Sequence, residues 1–228
     1  AGARVAVDNT FLSPALQKPI PLGADFVVHS TTKYLNGHSD VVGGAVIAAD
    51  AADAQELVWW ANCTGVTGAP FDSWLTLRGL RTLCVRIERQ QQSAQRIAEW
   101  LAKHPSVARV HYPGLSSHPS HALAARQQNG FGAMLSFELV QGFAPADFIR
   151  GLSCFTLAES LGGIESLVAH PASMTHASMS SEARAKAGIS DQLFRLSIGL
   201  EHADDLVAAL EQGLSGAIAL RAGKAAAG

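Results

Sequence analysis

Apolar positions along this chain fall into short unbroken runs separated by polar clusters, and into one long stretch with three/four spacing. Arg4 to Val7 is a short apolar run ending in Asp8-Asn9-Thr10, and it reads as a buried strand. Residues 11–23 hold three prolines and a glycine and read as loop. Asp25 to His29 is strand-like again. The polar segment STTKYLNGHSD follows as a loop, and Ala45 to Ala48 gives a third strand. Residues 51–63 read as a helix.

Leu80, Leu83, Ile87, Ala94, Ile97 and Leu101 recur at helical spacing, which predicts one amphipathic helix over 79–103. Prolines at 105 and 113 bracket a strand from Val107 to Tyr112. Beyond it the pattern predicts a helix (119–129), a strand (Ala133 to Leu139) and a helix (145–152). Two strands (Phe155 to Leu161, Phe194 to Gly199) and a helix (204–218) follow, and the tail AGKAAAG is expected to fray. No repeat is visible. Alternating strands and helices predict α/β layers, and the long helix places a junction near residue 80. In such sheets ligands sit beyond the carboxyl ends of strands. Asp8 and STTK both fall there.

Composition narrows the classes. The chain has 228 residues, enough for one large domain or two small ones. Hydrophobic residues make up 48% and charged ones 16%, which argues against disorder. No apolar run reaches the length of a membrane span. A formal charge of −2 gives no basic face for nucleic acid. Three separated cysteines, with no CxxC pair, argue against a disulfide framework or a zinc site. AGARVAVDN lacks the regions of a signal peptide, so a cytoplasmic protein is expected.

Ser30-Thr31-Thr32-Lys33 puts hydroxyls and an amine within four residues. A lysine in a cleft with a depressed pKa can form a Schiff base with a carbonyl. If that carbonyl belongs to pyridoxal phosphate (PLP), three more groups are needed. The phosphate needs donors, the pyridine nitrogen needs an acid, and the substrate carboxylate needs a cation, best met by arginine. Ser30 and Thr32, Asp8, and Arg195 can supply them.

VDNTFLSPALQKPIPLGADFVVHSTTKYLNGHSDVVGG resembles the core of the Cys/Met-metabolism PLP enzymes, the group of cystathionine γ-synthases, cystathionine γ-lyases and methionine γ-lyases. The resemblance continues through PFDSWLTLRGLRTL, VARVHYPGL, GFGAMLSFEL, FTLAESLGGIESL, HPASMTH and FRLSIGLE, nearly the whole chain. It implies a fold-type I PLP-dependent transferase, aspartate aminotransferase-like, of which this is the carboxyl-side part. Residues 1–80 would close an incomplete mixed sheet of the large domain, and 81–228 would form the smaller α/β domain. The abrupt start at Ala1 then reads as a cut inside a domain, with the upstream half of the pocket lacking and stable PLP binding expected to be weak or absent.

Residue by residue, the resemblance implies that Lys33 is the lysine of the internal aldimine and the proton shuttle between Cα and the leaving side. Asp8 would pair with the pyridinium nitrogen. Ser30 and Thr32 would hold the cofactor phosphate. Ser160 and Arg195 would hold the substrate α-carboxylate, with Thr175 helping to fix that arginine. Glu159, just before the site serine, would meet the distal amino group of cystathionine, an electrostatic specificity device. The implied activity is γ-replacement or γ-elimination on cystathionine or an activated homoserine, as in a γ-synthase or γ-lyase of transsulfuration. Methionine γ-lyase or O-succinylhomoserine sulfhydrylase is the alternative. The implied assembly is a homotetramer, a dimer of dimers, with neither nucleic acid nor membrane as partner.

Other readings have less behind them. Ser30-x-x-Lys33 also matches the S-x-x-K of penicillin-recognising serine hydrolases, but the S-D-N and K-T-G elements are lacking. Nine histidines show no Glu-x-x-His pairing, so no metal is expected. Arg86, Arg89 and Arg96 read as a solvated or subunit-facing stripe. Trp59, Trp60 and Trp74 read as core or interface. A non-catalytic fragment of such an enzyme remains the reading from another class.

Overall fold

The computed structural model describes residues 2–226. Two sheets organise it. The first joins β1 (Ala6–Asp8), β2 (Phe26–Ser30) and β3 (Gly44–Ala48) in that order. β1 and β2 run parallel with Asp8 opposite Val28, and β3 returns antiparallel with Gly44 opposite Ser30. The carboxyl ends of the parallel pair therefore lie side by side.

The second sheet has the order β4-β5-β8-β7-β6, built from β4 (Val107–His111), β5 (Met134–Leu139), β6 (Thr156–Leu157), β7 (Leu167–Ala169) and β8 (Leu193–Ser197). It is mixed, with β6 and β7 parallel and the other pairs antiparallel. Phe137 on β5, Phe194 on β8 and Phe148 on helix α6 (Pro145–Arg150) form its aromatic centre, with centroids 4.8–5.7 Å apart. Helix α4 (Leu83–Leu101) and helix α8 (Ala203–Ala226) pack on each other and close this core. Both parts follow the expected α/β pattern, with one mixed sheet before α4 in the chain and one after it.

Several elements depart from the sequence reading. Residues 11–23 are not plain loop: α1 (Ser13–Leu16) and a 3-10 turn (Ile20–Leu22) lie there. Their prolines sit in the first turn, where the missing N–H has no partner to lose. Helix α2 (Ala51–Thr64) matches the expectation and is capped by Asp50, whose carboxylate accepts from the amides of Ala52 and Asp53. The helix expected over 79–103 is two helices, α3 (Pro70–Leu80) and α4, broken at Thr82. The Gly79 carbonyl is taken by Thr82 Oγ1 (3.2 Å) and Arg86 Nη2 (2.9 Å), which replace the donor a continuing helix would supply. Gly79 itself lies against Asn36, leaving no room for a Cβ, which would sit 2.2 Å from the Asn36 oxygen.

The strand expected over 155–161 shortens to β6. Strand β7 and helix α7 (Ser181–Lys186) were not foreseen. All three residues of β7 are buried, so they lack the alternation that marks a half-exposed strand. Helix α5 (His121–Gln127) lies within 119–129. Helix α8 is bounded at Ala226, and residues 227 and 228 lie outside the described residues.

Two surface readings also change. Arg86 is not a solvated residue but is 4% exposed, and Gln90 beside it is fully buried. Arg89 and Arg96 remain exposed, Arg96 paired with Asp204. Trp59, Trp60 and Trp74 lie in no core of this chain: each is more than half exposed, and α2 buries no residue.

Candidate functional site

Lys33 stands on a single π-helical turn (Thr31–Leu35) that begins where β2 ends. The expected loop is thus a wound turn, interrupted at Lys33 itself, whose φ of −91° and ψ of −130° are not helical. It is held from both sides. Above, the Thr31 amide donates to the Gly43 carbonyl (2.9 Å). Below, Tyr34 is wholly buried and its carbonyl accepts from Arg86 Nη1 (3.0 Å). Arg86 Nε donates to Thr82 Oγ1 (3.0 Å), so one fork-shaped cation fastens α3, α4 and the lysine turn together.

From that turn Lys33 Nζ reaches Ser160 Oγ at 3.0 Å. Partial burial holds its pKa below the ordinary lysine value, and the charge of Arg195 pushes the same way. Arg195 projects from β8 and braces the loop that carries the serine. Its Nη2 donates to the carbonyls of Glu159 (2.8 Å) and Ser160 (3.2 Å). Burial lowers the guanidinium's pKa, opposed by the Glu159 carboxylate. Its Nε is buried with no partner, so a donor remains for an incoming acceptor.

Asp8 closes β1. Its Oδ1 accepts from the Thr10 amide (2.9 Å), an Asx turn, and the two hydrogen bonds from Thr10 hold its carboxyl below the usual carboxylate range. Thr10 Oγ1 in turn accepts from the Ser30 amide (2.8 Å), stitching the two strand ends together. Burial pushes the pKa of His29, 4% exposed, below its ordinary value, and the nearby Asp8 charge opposes that effect. Thr32 Oγ1 accepts from the Gly43 amide (2.9 Å) and donates to the Gly43 carbonyl (3.3 Å). Its hydroxyl is therefore already engaged, whereas Ser30 is joined through its amide and keeps its hydroxyl at the strand end.

The structure thus brings Lys33, Ser160, Arg195 and the Glu159 backbone into one cluster, and sets Asp8, Ser30 and Thr32 at the adjoining carboxyl ends of β1 and β2. Thr175 stands in a different bonding arrangement: its Oγ1 pairs with His176 Nδ1 (2.8 Å), and Arg195 is held by carbonyls instead. Sequence reasoning missed Thr10, Arg86 and Gly43. DNT after a strand is an Asx-turn signature, and Arg86 falls on the apolar face between Leu83 and Ile87, so both left a trace.

This donor set fits pyridoxal phosphate chemically: an amine with a lowered pKa, an acid held ionised, an uncommitted serine hydroxyl and an arginine with a free buried N–H. A model of the Cys/Met metabolism PLP-dependent enzyme family matches residues 1–215. The chain belongs to that family. Cystathionine γ-synthase of Escherichia coli is 59% identical over 217 residues, 95% of this chain and 56% of the relative. Cystathionine β-lyase of Lactococcus lactis is 51% identical, over 93% of this chain and 56% of the relative. The crystal structure of cystathionine γ-synthase from Xanthomonas oryzae pv. oryzae, in complex with cystathionine, matches with a TM-score of 0.92 and 66% identity, covering 96% of this chain and 57% of that one. The fold is accordingly that of the fold-type I PLP enzymes, and the chain spans a little over half the length of these relatives. No helix among the described residues is long and apolar enough to cross a membrane.

Proposed function

We propose that this chain carries the lysine side of a PLP-dependent transsulfuration site, and that the whole protein performs γ-replacement or γ-elimination on cystathionine or an activated homoserine. The observation that carries the reading is the Lys33–Ser160 hydrogen bond, on a loop braced by Arg195. Residues 1–80 and 81–228 form the two parts of the site. The separate sheets on either side of the α3–α4 break support that division.

Bound pyridoxal phosphate supplies an electron sink for the pair left when the substrate loses its Cα proton. The chain's own groups do the rest. Lys33 Nζ takes that proton, and its lowered pKa favours the free amine that a base needs. Ser160 Oγ holds the amine in place. Arg195, with its free Nε, orients the substrate carboxylate. Asp8 offers an ionised carboxylate to a pyridinium nitrogen, and the Ser30 hydroxyl and the Thr32 clamp serve the phosphate. Glu159 attracts the distal ammonium of cystathionine. Thr175 helps to fix Arg195. The assembly is a homotetramer working on a small amino acid in the cytoplasm.

Two measurements test this. Borohydride reduction with pyridoxal phosphate should fix the cofactor on Lys33, and Lys33→Ala should lose both the fixed mass and the visible band. A β-lactam acyl probe labelling Ser30 instead would point to a serine hydrolase. Assay with cystathionine alone, and then with an activated homoserine ester plus cysteine, decides which sulfur chemistry the protein performs.

A further inference from the structure

We propose that Ser39 and Glu165 are a positioning pair, a latch that sets the distance between the Ser160 loop and the Lys33 turn. The proposal rests on the reading of Lys33 and Ser160 given above and deepens it. Ser39 Oγ donates to Glu165 Oε1 across 126 positions of chain. The bond joins the turn after Lys33 directly to the loop after Ser160. Neither residue touches the lysine, so any effect runs through the loops they join.

The geometry around the pair is built for close approach. Ser39 has a φ of +58°, and it is one of two non-glycine residues among those described with a left-handed backbone. A serine held there, rather than glycine or asparagine, keeps a hydroxyl aimed at Glu165. On the opposite loop, Gly162 has a φ of +79°, and a Cβ on it would sit 2.8 Å from the Tyr34 amide nitrogen. A Cβ on Gly163 would sit 2.7 Å from Glu165 Oε1 and 2.8 Å from Ser39 Oγ. The loop thus lies directly on the lysine turn, with only hydrogens between them.

The rest of the loop is pinned from its own side. Arg195 holds the carbonyls of Glu159 and Ser160, and Gln90 Nε2 donates to the Gly163 carbonyl (2.7 Å). Ser166 is bonded through its amide (2.7 Å) and hydroxyl (2.8 Å) to Glu201. The Ser39–Glu165 bond is the hydrogen bond that ties this frame to the segment 36–40. That segment is itself closed by Asn36 Nδ2 donating to Asp40 Oδ1 (2.7 Å). Both latch residues lie at the surface, where one hydrogen bond adds little to global stability. Its effect is on where Ser160 stands relative to Lys33.

Three variants separate positioning from mere stability. Ser39→Gly removes the hydroxyl while relieving the left-handed backbone, so it keeps or improves the thermal midpoint. Glu165→Ala removes the acceptor, and Glu165→Gln keeps one. Amide hydrogen exchange over 162–165 should rise about fivefold in Ser39→Gly and in Glu165→Ala, no further in the double variant, and stay near the parent rate in Glu165→Gln. In cofactor-loaded protein, KM for the amino acid substrate should rise about fivefold in the first two, with kcat within about twofold. Additive exchange in the double variant, or Ser39→Gly behaving as the parent protein, overturns the latch. A parent chain that fixes no cofactor at Lys33 overturns the functional reading instead, and the exchange rates still decide the latch.

Discussion

Lys33 Nζ and Ser160 Oγ are 3.0 Å apart, although 127 positions of chain separate them. One comes from the turn after β2 and the other from the loop after β6, so the contact exists only when both sheets are folded. It places a hydroxyl beside the amine. A hydrogen bond of this kind contributes about 0.5–1.5 kcal/mol, a factor of about two to ten in a rate or an equilibrium. Ser160→Ala should therefore slow borohydride-trapped capture of pyridoxal phosphate at Lys33 by about that factor, with the fold unchanged by circular dichroism. Capture at the parent rate would show that the bond does not hold the amine for reaction.

Burial and, after it, the charge of Arg195 both favour the free amine of Lys33, holding its pKa below the ordinary value. Arg195→Ala should move the pH profile of cofactor capture to higher pH, because the ammonium form loses a like-charged neighbour. Arg195→Lys keeps a cation and should leave the profile closer to the parent. The stability sign is fixed as well. A lysine whose folded pKa lies below its unfolded pKa lowers stability while both states are protonated, and that penalty fades as pH rises between the two values. A profile that stays in place in Arg195→Ala would show that burial alone lowers the lysine.

Thr10 holds Asp8 ionised and at the same time satisfies the Ser30 amide. Thr10→Val keeps the residue's shape and its amide but removes the hydroxyl. The part-buried Ser30 N–H then loses its partner, at a cost of about 1 kcal/mol by chemical denaturation. The Asp8 carboxyl should rise towards the usual carboxylate value in an NMR titration, since one of its two bonds from Thr10 is lost. The stability Asp8 contributes is present above its unfolded pKa and is lost as pH falls through the folded one. In the variant the contribution should be smaller, and its loss should be complete at a higher pH.

The strands that position this chemistry could be read from the sequence. β1, β2, β3, β4, β5 and β8 are apolar runs closed by polar or proline positions, and those limits are local. The break between α3 and α4 could not be read, because its cause is tertiary. Thr82 and Arg86 satisfy the Gly79 carbonyl, and Gly79 is pressed against Asn36, which is 43 positions earlier in the chain. β7 was hidden because complete burial erases alternation. Within the site, Asp8, Ser30, Thr32 and Lys33 lie in one contiguous half of the pattern and were legible from spacing and resemblance. Charge alone places Arg86 on a solvated or subunit-facing stripe, whereas its position between Leu83 and Ile87 puts it inside this chain.

Arg86 gives a test of how far the lysine turn depends on that clamp. Its three nitrogens serve Tyr34, Gly79 and Thr82 from a buried position. Arg86→Ala should lower stability by about 1–3 kcal/mol, since it strands the Tyr34 carbonyl, while the Gly79 carbonyl keeps Thr82 as donor. Arg86→Lys should recover only part, because one ammonium cannot reproduce the fork. Amide exchange over 31–37 should rise in both, and more in the alanine variant. A stability change under about 0.5 kcal/mol in Arg86→Ala would show that the surrounding packing, rather than the guanidinium, fixes the turn.

Glu159 supplies the test of substrate choice. Its backbone carbonyl is anchored by Arg195 while its carboxylate is exposed, so the charge sits at a fixed position on the rim and is screened by water. An exposed pair of this type is worth about 0.2–1 kcal/mol. Glu159→Gln should therefore raise KM for cystathionine, whose distal end carries an ammonium, by no more than about fivefold, and the effect should shrink at high salt. An activated homoserine ester has no distal cation, and its KM should stay near the parent value. The ratio of the two KM changes isolates the carboxylate from any general disturbance of the loop. Equal changes for both substrates would remove Glu159 from the recognition of the distal amine and leave it as a solvated acid beside Ser160.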